Sequence, residues 1–477
     1  MTSPHPDPLR WKALTVVCAA FFMTILDVSI VNVALPSIGR DLHFSQANLQ
    51  WVITAYAIAF GGFLLLGGRA ADLLGRRVVF MVGVALFTVA SLVCGLAQSE
   101  GMLIASRAVQ GLGGAIISPA ALSIVTTSFE EGPERNKALG VWGALGGSGA
   151  AVGVLAGGVL TEYLSWRWIF FVNVPVGAAV LALTPRIVPE SRREGVGRHY
   201  DALGAVLVSS GLALFVYAIS EAPNVGWGSA RTILLLIGSG VLLAGFLVNE
   251  RRIEDALMPF HIFRVRTVAG ANAVGFLLGG VLFANFFVLT LYVQDVLGYS
   301  AIKTGVTFVA TAGTAVLAAG VAQALTTKFG PKPVIVIGLI LLTGAMVYYA
   351  QIPVHGSFAS DLLPGYLLVG VGIAFAYVPV SIASLAGVAE REAGLASGLI
   401  NTSQQIGGAI GTAIASTIFI THFKSLRSEG KSALEALTGG YAWAFWGLAV
   451  IGVLALIAAL TLIRREELAE TAAAPVA

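Results

Sequence analysis

The chain has 477 residues, of which 57% are hydrophobic and only 11% charged, whereas a soluble domain carries about a quarter charged residues. Charge this sparse cannot cover a water-facing surface, so a soluble globular protein is excluded. The formal net charge of +3 is too small to point to nucleic acid.

Apolar runs of 20 or more residues recur from end to end, which identifies an all-α integral membrane protein. The 57 glycines and 17 prolines agree with this, since both are tolerated in membrane helices and glycine permits close helix packing. At about 20 apolar residues per crossing, spans are expected near 13–35, 49–67, 78–97, 102–127, 138–160, 166–185, 202–221, 232–249, 268–294, 303–326, 333–351, 361–388, 396–421 and 441–463. Segment 361–388 contains Pro364 and Pro379 and is the least regular of these fourteen. The first run is too long for a signal peptide and no small-residue cleavage site follows it. Cys18 and Cys94 lie inside apolar runs and read as small core residues, neither a disulfide nor a metal pair.

With the N-terminus inside, the inner segments hold about 20 of the 28 Lys and Arg, as the positive-inside rule requires. Among these are Arg10, Lys12, Arg69, Arg76, Arg77, Arg192, Arg193, Arg251, Arg252, Arg464 and Arg465. Both termini are therefore expected in the cytoplasm of a multi-pass cell-membrane protein. All eight tryptophans lie at or near expected span ends, the interfacial position of indoles.

The chain also repeats weakly. DLHFS at Asp41–Ser45 is echoed by VLGYS at Val296–Ser300, LLGRR at Leu73–Arg77 by KFGPK at Lys328–Lys332, and ALG at Ala138–Gly140 by GLA at Gly394–Ala396. Three echoes at one offset, 255 residues or within one of it, point to two six-span halves. The expected division is 1–185 for the first half, 186–266 for a linker with two inserted spans, 267–465 for the second half and 466–477 for a cytoplasmic tail. Paired halves enclosing a midplane site are the architecture of secondary transporters.

Asp27 is the only acidic residue expected deep within a span, and Arg107 the only basic one. Intramembrane charge costs at least a few kcal/mol, so such a residue has a function and a partner. Counting about 1.5 Å per residue along oppositely directed helices puts both charges roughly 10 Å below the outer surface. They are expected to face a shared cavity, against the alternative of a static ion pair fixing helix packing. Arg107, Gln110, Gly111, Gly114 and Ser118 share one helix face, and Thr24 shares a face with Asp27. A carboxylate there is pulled up in proton affinity by desolvation and down by a guanidinium, so a changing environment would load and unload a proton.

The loop GRAADLLGRR, Gly68–Arg77, joins two spans, with Gly68 and Gly75 allowing a tight turn and Asp72 able to cap a helix or pair with Arg76 or Arg77. This loop resembles the cytoplasmic motif of the major facilitator superfamily. RAVQGLGG at Arg107–Gly114 resembles that superfamily's fourth-helix motif, and LDVSIVNVALPSI its first-helix motif in drug:proton antiporters. SWRWIFFVNVPVG at Ser165–Gly177 and LYVQDVLGYSAIKTG at Leu291–Gly305 resemble signatures of the fourteen-span branch, which exports drugs and quaternary ammonium compounds. The resemblance runs from Trp11 to Arg465. It implies a major facilitator fold and proton-coupled antiport, with Asp27 and Arg107 serving the proton. Asp72 and Arg76 would belong to a charge relay latching the cytoplasmic side.

The family's fifth-helix antiporter motif carries a Gly-Pro pair where this chain reads GAAVGVLAGG, with Val154 in the proline position. Gly149, Gly153 and Gly157, followed by Gly158, still present a small-residue face for close packing.

The second half has no acid at the offset from Asp27, which lands on Leu282. Its polar candidates are Asn272, Asn285, Gln294, Asn401, Gln404 and Gln405. Asn272, Phe276, Gly279, Phe283, Phe287, Thr290 and Gln294 follow helical spacing, and Asn401, Gln405 and Gly408 form a second stripe. Rings with scattered amides suit neutral or monocationic amphiphiles. Gln110, Phe283, Phe287, Gln294, Asn401 and Gln405 are thus the candidate substrate residues, against ordinary helix packing as the alternative.

The leading function is a proton-driven exporter of amphiphilic small molecules, working as a monomer without cofactor or metal. A dedicated exporter of one antibiotic, lipid or siderophore is the close rival. A membrane enzyme would need a His, Cys or Asp constellation within the spans, and none of the six His sits mid-span. An ATP-driven pump would need a GxxxxGK[ST] loop, which the sequence lacks.

Overall fold

A chain that must satisfy every backbone group within hydrocarbon forms helices, and the described residues form fourteen long ones. They are α1 (Arg10–Asp41), α2 (Trp51–Leu74), α3 (Arg76–Gly95), α4 (Glu100–Ser128), α5 (Pro133–Tyr163), α6 (Trp168–Ile187) and α7 (Ala202–Val225). After these come α8 (Ala230–Arg252), α9 (Arg266–Val296), α10 (Ala301–Phe329), α11 (Pro331–Tyr349), α12 (Phe358–Ala383), α13 (Ala393–Ser428) and α14 (Ala433–Leu462). The computed structural model describes residues 9–129, 133–191, 201–253, 258, 260–388 and 393–464; Arg192, Arg193, Arg465 and the tail 466–477 lie outside them. Among the described residues thirteen of the helices are long and apolar enough to cross a membrane, and α5 matches them in length with 31 residues. Helix α12 runs unbroken through Pro364 and Pro379, opening on a π-helical turn at Phe358–Leu362. A second π-helical turn, Tyr292–Val296, closes α9.

An even number of long helices brings Leu9 and Arg464, the first and last described residues, to one face, here the terminal face. Four of the helices that start at the opposite face are capped by serine: the side chains of Ser99, Ser229, Ser300 and Ser432 each accept a first-turn N–H of α4, α8, α10 and α14. Ser432 adds a full capping box with Glu435. At the terminal face the turns into α3 and α11 are glycine-made. Gly75 (φ 110°) and Gly330 (φ 80°) take left-handed backbone that other residues resist, and they stand 255 positions apart.

The packing repeats with the sequence. In the first half α1 lies on α5 and α6, α2 on α4, and α3 on α4 and α6. In the second, α9 lies on α13 and α14, α10 on α12, and α11 on α12 and α14. The halves meet along two seams, α2 with α13 and α5 with α10. The inserted pair covers only the first: α7 packs on both α2 and α13, and α8 packs on α7. Three contacts near the opposite face fasten α7 to both halves. Gln50 Nε2 donates to Ser220 Oγ at 2.7 Å, Thr417 Oγ1 to the Ile219 carbonyl at 3.1 Å, and Lys424 Nζ to Asn224 Oδ1 at 2.5 Å.

Candidate functional site

Helices α1, α3, α4 and α6 converge on a buried polar knot. Asp27, from the middle of α1, is 0% exposed, and Arg107, from the first half of α4, is 1% exposed. Arg107 Nη1 donates to Asp27 Oδ2 at 2.5 Å and to Gln110 Oε1 at 2.6 Å. Gln110 Nε2 donates in turn to Asp27 Oδ1 and to Ser91 Oγ of α3, each at 2.7 Å. Arg107 Nε reaches the Val52 carbonyl of α2 at 2.9 Å. The guanidinium lies over the Tyr56 ring at 4.5 Å, with Phe170 at 5.7 Å, so aromatic faces cover the charge that hydrogen bonds do not. Asn173, at the second turn of α6, points Nδ2 at Asp27 Oδ1 (3.4 Å) and at Ser91 Oγ (3.5 Å). Cys94 Sγ approaches Gln110 Oε1 at 3.6 Å.

The expected pairing of depth is therefore a direct contact, and its surroundings differ from expectation. Asp27 and Arg107 are enclosed within the first half in this conformation and do not line an open cavity. Gln110, expected among the substrate residues, is 0% exposed and bridges both charges. The reason is electrostatic: a guanidinium has five donors, and in a dry interior each carboxylate and amide oxygen nearby is drawn to one.

The glycine face of α5 meets α1. A Cβ on Gly149 would stand 2.7 Å from the Ile25 side chain, one on Gly157 2.7 Å from the Ile30 carbonyl, and one on Gly153 would collide with Ser29 Oγ. These contacts flank Asp27 on α1 and fix that helix against α5. Gly158 faces the other half instead, against the α10 backbone at Ala301 and Ile302 (2.8 Å from Ile302 Cα). Val154 is buried, and its carbonyl closes on Gly305 of α10, so α5 stays helical without a proline here.

In the terminal-face loop the side chain of Asp72 lies outside the described residues. Gly68 has ordinary clearance from Pro119, whereas its neighbour Gly67 is pressed to the Ala115 carbonyl, 2.5 Å from a Cβ built there. The Arg76 N–H donates to the Ser191 carbonyl at 3.0 Å, and Arg76 Nη1 reaches Ser191 Oγ at 3.4 Å. Glu190, which the sequence did not single out, accepts the N–H groups of Arg77 (3.1 Å) and Val78 (3.2 Å) and pairs with the Arg77 guanidinium at 3.7 Å. It thus caps α3 with an acid from beyond α6, where the helix dipole favours negative charge.

In the second half the stripe expected on α9 is largely a packing face. Phe287 is 2% exposed, Phe283 lies on Gly408, and Gly279 is pressed to the Gln404 backbone of α13. Gln294 crosses to the first half, donating to the Val33 carbonyl at 2.8 Å. Asn401 is exposed and bonds back to Ser397. Among the described residues, Asn285 Oδ1, Gln404 Nε2 and Gln405 Oε1 are buried without a hydrogen-bond partner. No group of three or more His, Cys, Asp and Glu arranged to hold a metal occurs among the described residues.

A helical repeat of six and six around a buried intramembrane ion pair is the plan of a secondary transporter. The sequence profile described as Major Facilitator Superfamily matches residues 17–412. The chain is 41% identical to the puromycin resistance protein pur8 of Streptomyces alboniger, over 99% of this chain and 95% of that one. It is 39% identical to the cephamycin export protein CmcT of Amycolatopsis lactamdurans (92% and 89% covered). Identity to the multidrug resistance protein Stp of Mycobacterium tuberculosis is 34% (86% and 76% covered). Its fold matches a bacterial homolog of the human lysosomal transporter Spinster, in an inward-facing and occupied conformation, with TM-score 0.70 at 15% identity, covering 99% and 100% of the two chains. The chain belongs to the Major Facilitator Superfamily, among its drug and antibiotic exporters.

Proposed function

We propose that this exporter is an antiporter driven by the proton gradient, moving amphiphilic small molecules out across the cytoplasmic membrane. The observation that carries the reading is the enclosed Asp27–Arg107–Gln110 knot, a carboxylate held in a dry interior by a single guanidinium and the amide of Gln110, with the Asn173 amide at longer range. Protonating Asp27 would weaken its hold on Arg107 and free helix α1 to move relative to α4. Conversely, a movement that separated the two would raise the proton affinity of the acid.

The remaining parts follow from this reading. The Lys and Arg bias makes the terminal face cytoplasmic. Residues Gly68, Asp72, Gly75, Arg76 and Arg77 form the gate on that face, with Glu190 holding Arg77. Residues 1–185 and 267–465 are the two rocking halves, 186–266 the inserted linker and 466–477 the tail. Cargo is oriented by the unpaired amides of α9 and α13 beside the half-buried Phe283. The protein acts as a monomer on unaltered cargo, needing neither cofactor nor metal.

A second reading within the same class is a dedicated exporter of one antibiotic, supported by the names of its relatives for puromycin and cephamycin. Everted vesicles offered puromycin, a cephamycin and ethidium separate narrow from broad export. In the same assay Asp27→Asn is expected to abolish accumulation driven by a proton gradient at unchanged protein level. Wild-type coupling in that variant overturns proton antiport.

A further inference from the structure

The amide of Asn173 stands between two oxygens that both change role when Asp27 takes up a proton. Today Asn173 Nδ2 donates toward Asp27 Oδ1 at 3.4 Å and Ser91 Oγ at 3.5 Å, both long for hydrogen bonds. The other Asp27 contacts are shorter and come from donors only: Arg107 at 2.5 Å and Gln110 Nε2 at 2.7 Å. A protonated Asp27 becomes a donor and needs an acceptor. Gln110 Oε1 already receives Arg107 at 2.6 Å and Cys94 at 3.6 Å, and Arg107 accepts nothing. Asn173 carries an acceptor on the same planar group, and a half-turn about Cβ–Cγ exchanges its nitrogen for its oxygen at almost no change in shape.

The helix that presents Asn173 is held firmly. A Cβ on Gly177 would run into Thr88 Oγ1 and one on Gly95 into the Phe171 ring, so α6 lies tight on α3 on both sides of the amide. Asn173 itself is 1% exposed and Ser91 0%, so both are shielded from bulk solvent.

Resting on the proton-coupled reading above, we propose that Asn173 is a positioning residue whose side-chain amide reverses with the proton. It donates to Asp27 as the carboxylate and, turned over, accepts from Asp27 as the carboxylic acid. The Ser91 hydroxyl turns with it: now an acceptor from the amide nitrogen, it donates to the amide oxygen after the turn. The proton arrives from solvent on Asp27 Oδ1, no covalent bond other than O–H forms, and Arg107 keeps its own protons. Among the described residues, the titratable groups facing this point are Arg107 from α4, Tyr56 from α2 and Cys94 from α3.

Asn173 therefore supports the acid form of Asp27 more than the carboxylate, which has two better donors. The test is an infrared pH titration of the reconstituted full chain in liposomes. The Asp27 carboxyl C=O band is isolated as the difference between wild type and Asp27→Asn, and is run beside proton-driven puromycin efflux. In the Asn173→Leu background, with Asp27→Asn as its own blank, the band's midpoint is expected to fall by about half to one pH unit, the size of one net hydrogen bond. The pH profile of efflux is expected to shift with it. Asn173→Asp should move both the other way, since two adjacent carboxyls share one proton. Ser91→Ala, a smaller change that keeps the helix contact, should lower the midpoint by less than Asn173→Leu, and it carries the test if Asn173→Leu fails to insert. A band that titrates with an unmoved midpoint in Asn173→Leu and Ser91→Ala, or one that shifts the same way in Asn173→Leu and Asn173→Asp, overturns the role of Asn173. A wild-type band that does not titrate at all overturns the proton-coupled reading instead.

Discussion

At the scale of single residues, the polar knot shows what a charge in hydrocarbon demands. Arg107 spends its donors on Asp27, Gln110 and the Val52 carbonyl and lays its plane on Tyr56. Removing one member leaves the other charge buried and unpaired, which costs about 3–5 kcal/mol. Arg107→Met is therefore expected to lower the thermal unfolding midpoint strongly in detergent. Adding Asp27→Leu to it should recover most of that stability while leaving transport dead. A double variant no more stable than Arg107→Met would show that the pair is not coupled. Asp27, Arg107 and the glycines of α5 were legible in the sequence because charge and small side chains stand out against apolar runs. Ser91, Asn173 and Glu190 were not. A lone serine or asparagine in a span is ordinary, and Glu190 comes from more than a hundred residues beyond the Arg77 it holds.

At the scale of helices, α5 is placed against α1 by its glycines, and α3 is started by Glu190. Gly153→Leu should force α1 and α5 apart at Ser29, destabilising by about 1–3 kcal/mol as overpacking does. Thermal unfolding measures this, and the same change at exposed Val152 serves as the control. Glu190→Gln keeps an acceptor but loses the charge beside the α3 N-terminus. It should cost only about 0.3–1 kcal/mol, with a larger effect on transport than on stability if the gate reading holds. The number and order of helices were readable from apolar run length alone. The face each helix turns inward was not, since in a membrane span the lipid side and the packed side are equally apolar. For that reason the α9 stripe of Phe283, Phe287 and Gln294 divides between packing and a crossing contact to Val33.

At the scale of the molecule, the repeat is faithful in packing and broken in chemistry. Adding 255 to Asp27, Ser91, Cys94 and Arg107 gives Leu282, Met346, Tyr349 and Leu362, all buried. Where the first half holds an ion pair, the second holds an aromatic nest, with Tyr349 5.2 Å from Phe445 and 6.2 Å from Tyr366. The buried ion pair is thereby lodged in one half. The inserted pair breaks the symmetry again, since α7 is fastened to α2 through Ser220 and to α13 through Ile219 and Asn224. If the halves part at that face during transport, α7 must let go of one. Thiol cross-linking of Gln50→Cys to Ser220→Cys, or of Thr417→Cys to Ile219→Cys, should leave at least one singly linked protein active. Both links together should stop efflux, and activity with both in place would rule out parting along this seam.

The same helix α7 gives the two seams unlike neighbours. Over the seam of α2 and α13 lies the inserted pair, α7 against both helices and α8 against α7. At the seam of α5 and α10, Gly158 and Gly305 bring the two backbones together with little side chain between them. The two flanks of the protein are thus unlike, an asymmetry that its internal repeat lacks.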